Sequence, residues 1–336
     1  MARLLIMEIG QSSSGWVERA RALRERVVDL SDTTVFRILN GEGDGVPGMF
    51  VDRFGDYGVS REPRDQDANR RKKIYAALMK SWGLRGIYEK DRATRGFHPG
   101  KTPENRPFIG DDAPEEITVR ENGMMLLARL REGARPGVYP DQRENRLHLV
   151  PLLKNSRVLN TFSYTGAFSV RAALSGAKET VSVDLSKRAL EWSKNNFAAN
   201  GFDPSAHRHV KADTFDYLGL ARRKGLRFDI VILDPPSFST SRRNVFRAKR
   251  DWPLLIAAAL KVLEPNGRLA ISCNTHEINK RDILGMVAAG LGGKNRRAVE
   301  PEIVLGHPAD FPSSRSGREK DTLQFIITRP IAQNRV

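Results

Sequence analysis

Residues 157–176, RVLNTFSYTGAFSVRAALSG, pass from a short apolar run at Val158 and Leu159 through a polar turn to Gly166, and then into a run from Phe168 to Leu174 that stops at Gly176. Period-two residues followed by a helical run read as a strand leading into a helix. The alternation repeats downstream. Thr180–Val183 reads as the next strand, and Ser186 as the cap of a helix that carries Leu190 and Phe197 on one side. The pair Asn200-Gly201, tolerant of left-handed backbone, reads as its end. Phe228–Leu233, Gly267–Ser272 and Leu323–Thr328 are further strands, with a helix over Leu254–Leu263 between the first two. Serial strand–helix units build a doubly wound parallel sheet, because each right-handed crossover packs its helix back on the sheet. Such sheets bind ligands beyond the carboxyl ends of their strands, where the strand order reverses.

Towards the amino terminus the pattern is less regular. Residues 41–48, GEGDGVPG, are turn-rich and lead into a short strand over Met49–Arg53. A basic run from Arg61 to Lys73 passes into the helical spacing Ile74, Leu78, Trp82, and residues 94–112 read as loop. These features predict a small α+β domain over 35–125 after an extension over 1–34, with the α/β domain over 126–336.

The chain has 336 residues, with 56 Lys and Arg against 40 Asp and Glu, a net charge of +16 and a pI near 10.2. That excess favours a polyanionic partner. One cysteine, Cys273, closes no disulfide, and no Cys/His pair has zinc-ligand spacing, so neither a disulfide scaffold nor a metal site is expected. The opening apolar run is cut at Glu8, and no stretch of about 18 apolar residues occurs, which predicts a soluble, cytoplasmic protein without membrane contact.

The turn at 160–168 lacks the three glycines that bring a pyrophosphate against backbone, and no Gly-Lys-Ser/Thr cradle follows, so the expected ligand has no phosphates. Asp184 closes the second strand, where a carboxylate can accept both hydroxyls of a ribose or cap a helix. Asp213 stands after the next strand candidate, near an expected adenine amino group, and Asp234 opens the sequence Asp234-Pro235-Pro236-Ser237-Phe238. One glycine turn followed by three acids in this order is the set expected of an S-adenosylmethionine site. Phe162, Tyr164, Thr165, Gly166, Asp184, Ser186, Asp213 and Asp234 are its candidate residues.

At these residues the chain resembles the class I methyltransferases, and more narrowly the bacterial large-subunit ribosomal RNA cytosine-C5 methyltransferase family. Residues 41–53, 131–133, 141–146 and 162–168 carry the likeness, which runs from about residue 35 to the end. It implies a Rossmann-like, seven-stranded, doubly wound sheet and an RNA substrate. It also implies cofactor-site residues among Asp141, Gln142 and Arg143. Members of that family begin with a PUA domain; only about 35 residues precede the matching segment here, so that domain is expected to be absent. Ser272-Cys273-Asn274 also departs from the family's usual Ser-Cys-Ser.

Cytosine C5 becomes nucleophilic only after a thiolate adds to C6, which makes Cys273, at a strand end beside Asp234, the expected nucleophile. A lone cysteine is otherwise a small buried hydrophobe. Asp234 is expected to bond the cytosine N3 or amino edge, with the Pro235-Pro236 turn fixing the pocket wall. Phe238, for base stacking, and Arg242, Arg243 and Arg247, for phosphates, complete an expected RNA surface. Methylation of guanine N7 or another nitrogen, and a non-catalytic RNA-binding assembly factor, are the competing readings; the oligomeric state is open, a homodimer included.

Overall fold

The computed structural model describes residues 15–61, 63, 67–90, 105–133, 135–236, 239–240, 245–292, 299, 301–313 and 322–330. Contacts divide the chain into two units. Unit 1 comprises residues 1–117, 129–136 and 309–319, and unit 2 comprises 118–128, 137–308 and 320–336.

Unit 1 holds α1 (Gly15–Val27), β1 (Val35–Asn40), β2 (Phe50–Phe54), β3 (Tyr57–Arg61), α2 (Ala68–Trp82), β4 (Gly86–Lys90) and β5 (Ile109–Gly110), the strands forming one sheet in that order. Of the basic run, Arg61 closes β3 and pairs with Asp52 at 3.2 Å, Arg71 pairs with Glu89 at 2.7 Å, and Arg70, Lys72 and Lys73 are exposed in the first turns of α2. Asp67 caps it by accepting from the Asn69 and Arg70 amides, and Ile74, Tyr75, Leu78 and Trp82 bury one face. Gly83, at φ +64°, ends the helix. Residues 1–34 are not a separate extension in their described part, because α1 buries Val17, Ala20 and Arg24 within this unit. Arg24 forms a two-pronged ion pair with Asp44 at 2.6 and 2.7 Å and donates to the Asp310 carbonyl at 2.8 Å. The return of residues 309–313 joins partners far apart in sequence, and hydropathy patterning carries no sign of it.

Unit 2 continues with β6 (Ile117–Glu121), β7 (Met124–Ala128), α3 (Arg143–Leu153), β8 (Arg157–Thr161), α4 (Ala167–Leu174), β9 (Glu179–Asp184), α5 (Lys187–Ala199) and β10 (Arg208–Lys211). It is completed by α6 (Thr214–Arg223), β11 (Phe228–Leu233), β12 (Ser239–Thr240), β13 (Val245–Phe246), α7 (Ala248–Leu260), β14 (Leu263–Asn274), α8 (Lys280–Gly290), β15 (Pro301–Leu305) and β16 (Leu323–Thr328). The β6–β7 hairpin belongs here because Trp192 on α5 donates to the Leu127 carbonyl at 3.1 Å and Asn196 accepts the Leu127 amide at 2.8 Å. This shifts the boundary from the expected 125 to near 117.

The main sheet has seven strands in the order β10-β9-β8-β11-β14-β16-β15. The first five run parallel; β16 lies antiparallel to β14, and β15 antiparallel to β16. The chain winds outward from β8 to β10 and returns through α6 to β11 on the other side of β8, so the strand order reverses between β8 and β11. Three details depart from the sequence reading. Leu263 opens β14 rather than closing the preceding helix, which starts earlier, at Ala248. β15 is a further strand that the sequence reading lacks; its five residues open on a proline, which a first residue at the sheet edge accommodates. Asn200 keeps φ −100° and leaves the left-handed position to Gly201 alone.

Candidate functional site

The carboxyl ends of β8 and β11 meet at the switch point, and the turn after β8 is strained there. Phe162 and Tyr164 adopt φ +54° and +49°, and Gly166 +75°. Left-handed backbone at non-glycine residues costs on the order of 1–3 kcal/mol each and persists only where the surroundings enforce it. Here Phe162 packs on Phe246 with ring centroids 6.1 Å apart, and Tyr164 lies between Tyr139 at 5.6 Å and Trp192 at 6.3 Å. Glycine is required at 166 for a second reason: an added Cβ would sit 2.0 Å from Ser193 Oγ on α5.

Asp184, at the end of β9, accepts the Tyr164 amide at 2.9 Å and the Ser186 amide at 2.8 Å, one on each oxygen. It therefore fixes the strained turn and the start of α5 together, and a carboxylate has acceptor capacity left over for a ligand's hydroxyls. Ser186 caps α5 through the Ala189 amide at 3.1 Å, and Asp213 caps α6 through Phe215 and Asp216 at 2.8 and 3.4 Å. Ser186 thus caps α5 as its position suggests, whereas Asp213, expected near an adenine amino group, caps α6 with both bonds on a single oxygen. Thr165 is buried, and its hydroxyl donates to the Gly137 carbonyl at 2.6 Å. Arg143 is also buried, with its guanidinium on Glu144 at 3.0 Å.

Across the switch point, Leu233 pairs with Ile271, which sets Asp234 level with Ser272 and one residue short of Cys273. Gln142 joins the two strand ends, donating to Ser272 Oγ at 2.7 Å and, more weakly, to Asp234 Oδ1 at 3.4 Å. Asn145 in turn donates to Gln142 Oε1 at 2.7 Å, which commits the amide nitrogen of Gln142 to the Asp234 side. Asp141, Gln142 and Arg143 were the expected residues of this place; Asn145 and Ser272 lay in segments noted for the family likeness but had no role assigned to them. Burial pushes the Asp234 carboxyl up to about 6, with Ser272 hydrogen bonding opposing, the Asp141 charge adding and Arg146 opposing.

Cys273 is 1% exposed and packs in the core with Trp252. Burial, reinforced by the Asp234 charge, pushes its thiol up to about 12 against hydrogen bonds from the Thr275 backbone and Trp252. His276 is exposed. Pro235 is buried and Pro236 half-buried. Arg247 is exposed at the start of α7, where its amide donates to Asp251 at 2.6 Å. Ser237, Phe238, Arg242 and Arg243 lie outside the described residues.

The residues at this edge fit S-adenosylmethionine. Asp141 Oδ1, Asn145 Oδ1 and Ser163 Oγ are buried without a hydrogen-bond partner. Asp141 and Asp234 repel one another, and the nearby Arg146 is already held by Glu121 at 2.6 and 2.5 Å. Two carboxylates short of positive charge, beside unfilled acceptors, suit a ligand with an ammonium, a sulfonium and hydroxyl donors.

Residues 99–313 match a family described as S-adenosylmethionine-dependent methyltransferase. YwbD of Bacillus subtilis strain 168, named as a candidate ribosomal RNA large subunit methyltransferase, is 34% identical over 313 residues, 92% of this chain and 78% of that protein. Ribosomal RNA large subunit methyltransferase I of Aeromonas hydrophila is 34% identical over 312 residues, again 92% and 78% of the two chains. Among solved structures, SMU.776, described as a candidate methyltransferase complexed with SAH, superposes with a TM-score of 0.84 at 31% identity, covering 94% of this chain and 80% of that one.

Proposed function

We propose, for a chain that belongs to the S-adenosylmethionine-dependent methyltransferase family, that its substrate is large-subunit ribosomal RNA and that the methylated atom is cytosine C5. The cofactor is S-adenosylmethionine, which brings an electrophilic methyl group on a sulfonium. The RNA assignment rests on the names of relatives at 34% identity and on the charge of +16. The cytosine assignment rests on one observation: the chain's single thiol and a carboxyl of raised pKa, Cys273 and Asp234, are neighbours at the switch point.

The two groups support a balanced sequence. Asp234, made more basic by burial, takes the Cys273 proton and passes it to cytosine N3 as Sγ bonds to C6. C5 gains the electron density needed to accept the methyl group. Loss of the C5 proton to water and expulsion of Sγ then rebuild the ring double bond, and the N3 proton returns through Asp234 to Sγ, which restores 5-methylcytosine and the thiol. The base must be drawn out of its stack to reach this edge, and such a substrate puts the enzyme in the cytoplasm. Through Asp184 and Asp141 the chain holds the methyl donor, and Gln142 orients Asp234.

A second reading, methyl transfer to guanine N7 or another ring nitrogen, is favoured by the burial of Cys273, since attack by nitrogen needs no thiol. Methyl-labelled cofactor incubated with unmodified large-subunit RNA, followed by digestion and mass identification of the nucleoside, separates the two. Labelled 5-methylcytidine supports the first reading. A labelled purine rejects it.

A further inference from the structure

In a parallel sheet the helices run against the strands, so their carboxyl ends gather at the edge opposite the catalytic one. On that edge α6 ends in Arg222 and Arg223, Lys224 caps it, and Arg227 follows just before β11. Arg227 donates to the Lys261 carbonyl at 2.8 Å, and the Phe228 amide to the Val262 carbonyl at 2.9 Å, which brings Lys261, the cap of α7, beside them. Arg222, Arg223, Lys224 and Lys261 are exposed, and none enters an ion pair among the described residues. On the same edge Arg157 and Arg208 share Glu179 at 3.1 and 3.5 Å, so the sequence pairs its cations where it has acids to do so. Asp229, the acid nearest in sequence, accepts the Arg157 amide at 2.7 Å. Glu264 stands half-buried on β14.

Cations in a last helical turn also complement the helix dipole, which a single charge accomplishes. Among the other helices of the unit, α3, α5, α7 and α8 have no basic residue in the last turn. Three consecutive cations on α6, with a fourth across from them, exceed that need and repel one another unless an anion lies between.

We propose that this amino-terminal edge is a second RNA-docking surface, on which Arg222, Arg223, Lys224 and Lys261 take the phosphate backbone of a folded RNA. β11 has six residues, so at about 3.3 Å per residue the surface stands roughly 20 Å from the catalytic edge. A partner touching both is a folded RNA with helices on either side of the sheet, and A-form helices are gripped mainly through phosphate and 2′-hydroxyl groups. The inference rests on the reading of RNA as the substrate.

The test measures binding of an unmodified large-subunit ribosomal RNA transcript across a salt series. The variant with Arg222→Gln, Arg223→Gln, Lys224→Gln and Lys261→Gln should flatten the log-affinity against log-salt slope by about 3, at roughly 0.7 to 0.9 for each of the four lost phosphate contacts. An unchanged slope overturns the proposal. Because Cys273 is buried, Arg223→Cys offers a single accessible thiol for a benzophenone maleimide. Irradiation should cross-link that position to the transcript; absence of a cross-link, or capture by phosphatidylglycerol vesicles instead of RNA, also overturns it. Neither readout requires turnover. A protein that methylates no RNA thus rejects the parent reading, whereas intact methylation with an unchanged slope rejects this edge alone.

Discussion

Burial raises the pKa of both Cys273 and Asp234, to about 12 and about 6, and each makes a separable prediction. Cys273→Ala should keep the fold and cofactor binding, while methyl transfer falls by orders of magnitude because no second thiol exists. On RNA containing 5-fluorocytidine, the wild-type protein should accumulate a denaturation-resistant adduct that the variant cannot form; near-normal turnover by the variant sinks the C5 mechanism. For Asp234, folding raises the carboxyl from 3.8 to about 6, so the folded state holds the proton more tightly than the unfolded chain. The stability this contributes is full below about pH 4 and is lost as pH rises through about 6. Asp234→Asn has no proton to lose. It should melt level with wild type at pH 4 and above it at pH 8, and a wild type that melts higher at pH 8 rejects the desolvated carboxyl. Asp184 belongs to the other half of the site. Asp184→Ala should weaken S-adenosylmethionine binding by about 1–3 kcal/mol in calorimetry, the scale of lost charged hydrogen bonds, and unchanged affinity in a folded variant removes its role.

At the level of elements, the units from β8 to β11 were legible because buried strands and amphipathic helices impose periods of two and about 3.6 on the sequence. The reason for Gly166 was not legible, since the Ser193 that crowds it lies on another helix, 27 residues further along the chain. Nor was the network from Asn145 through Gln142 to Ser272, whose members come from α3, the turn before it and β14. The cap role of Ser186 was visible as local spacing, whereas that of Asp213 was not read and contacts to a ligand leave no such period. The α4–α5 approach makes its own prediction. Gly166→Ala combines a left-handed φ with a 2.0 Å clash and should cost about 2–4 kcal/mol by urea denaturation. Adding Ser193→Gly should recover the part due to the clash and leave the backbone strain. Equal stability of Gly166→Ala and wild type contradicts the close approach.

Over the whole molecule, charge is divided unevenly. Acidic and basic residues nearly balance through residue 117, so most of the +16 lies in the methyltransferase unit. Composition announced the polyanion; only the topology places the carboxyl ends of α6 and α7 on the edge opposite Asp234 and Cys273, because sequence neighbours and sheet neighbours differ. RNA binding should accordingly contain two electrostatic parts. Neutralising Arg242, Arg243 and Arg247 should reduce the salt slope by about 2 to 3. It should also depress methyl transfer, since this run follows Asp234 and its prolines directly in the chain. Neutralising the α6 end should flatten the slope by a similar amount while leaving transfer to a short unpaired oligonucleotide at the wild-type rate, because such a substrate does not extend to the far edge. Cations that meet different phosphates add independently, so the combined variant should lose the sum of the two slopes. A combined loss no larger than either part alone would mean that both sets of cations contact the same phosphates, and that the RNA follows a single path across the protein.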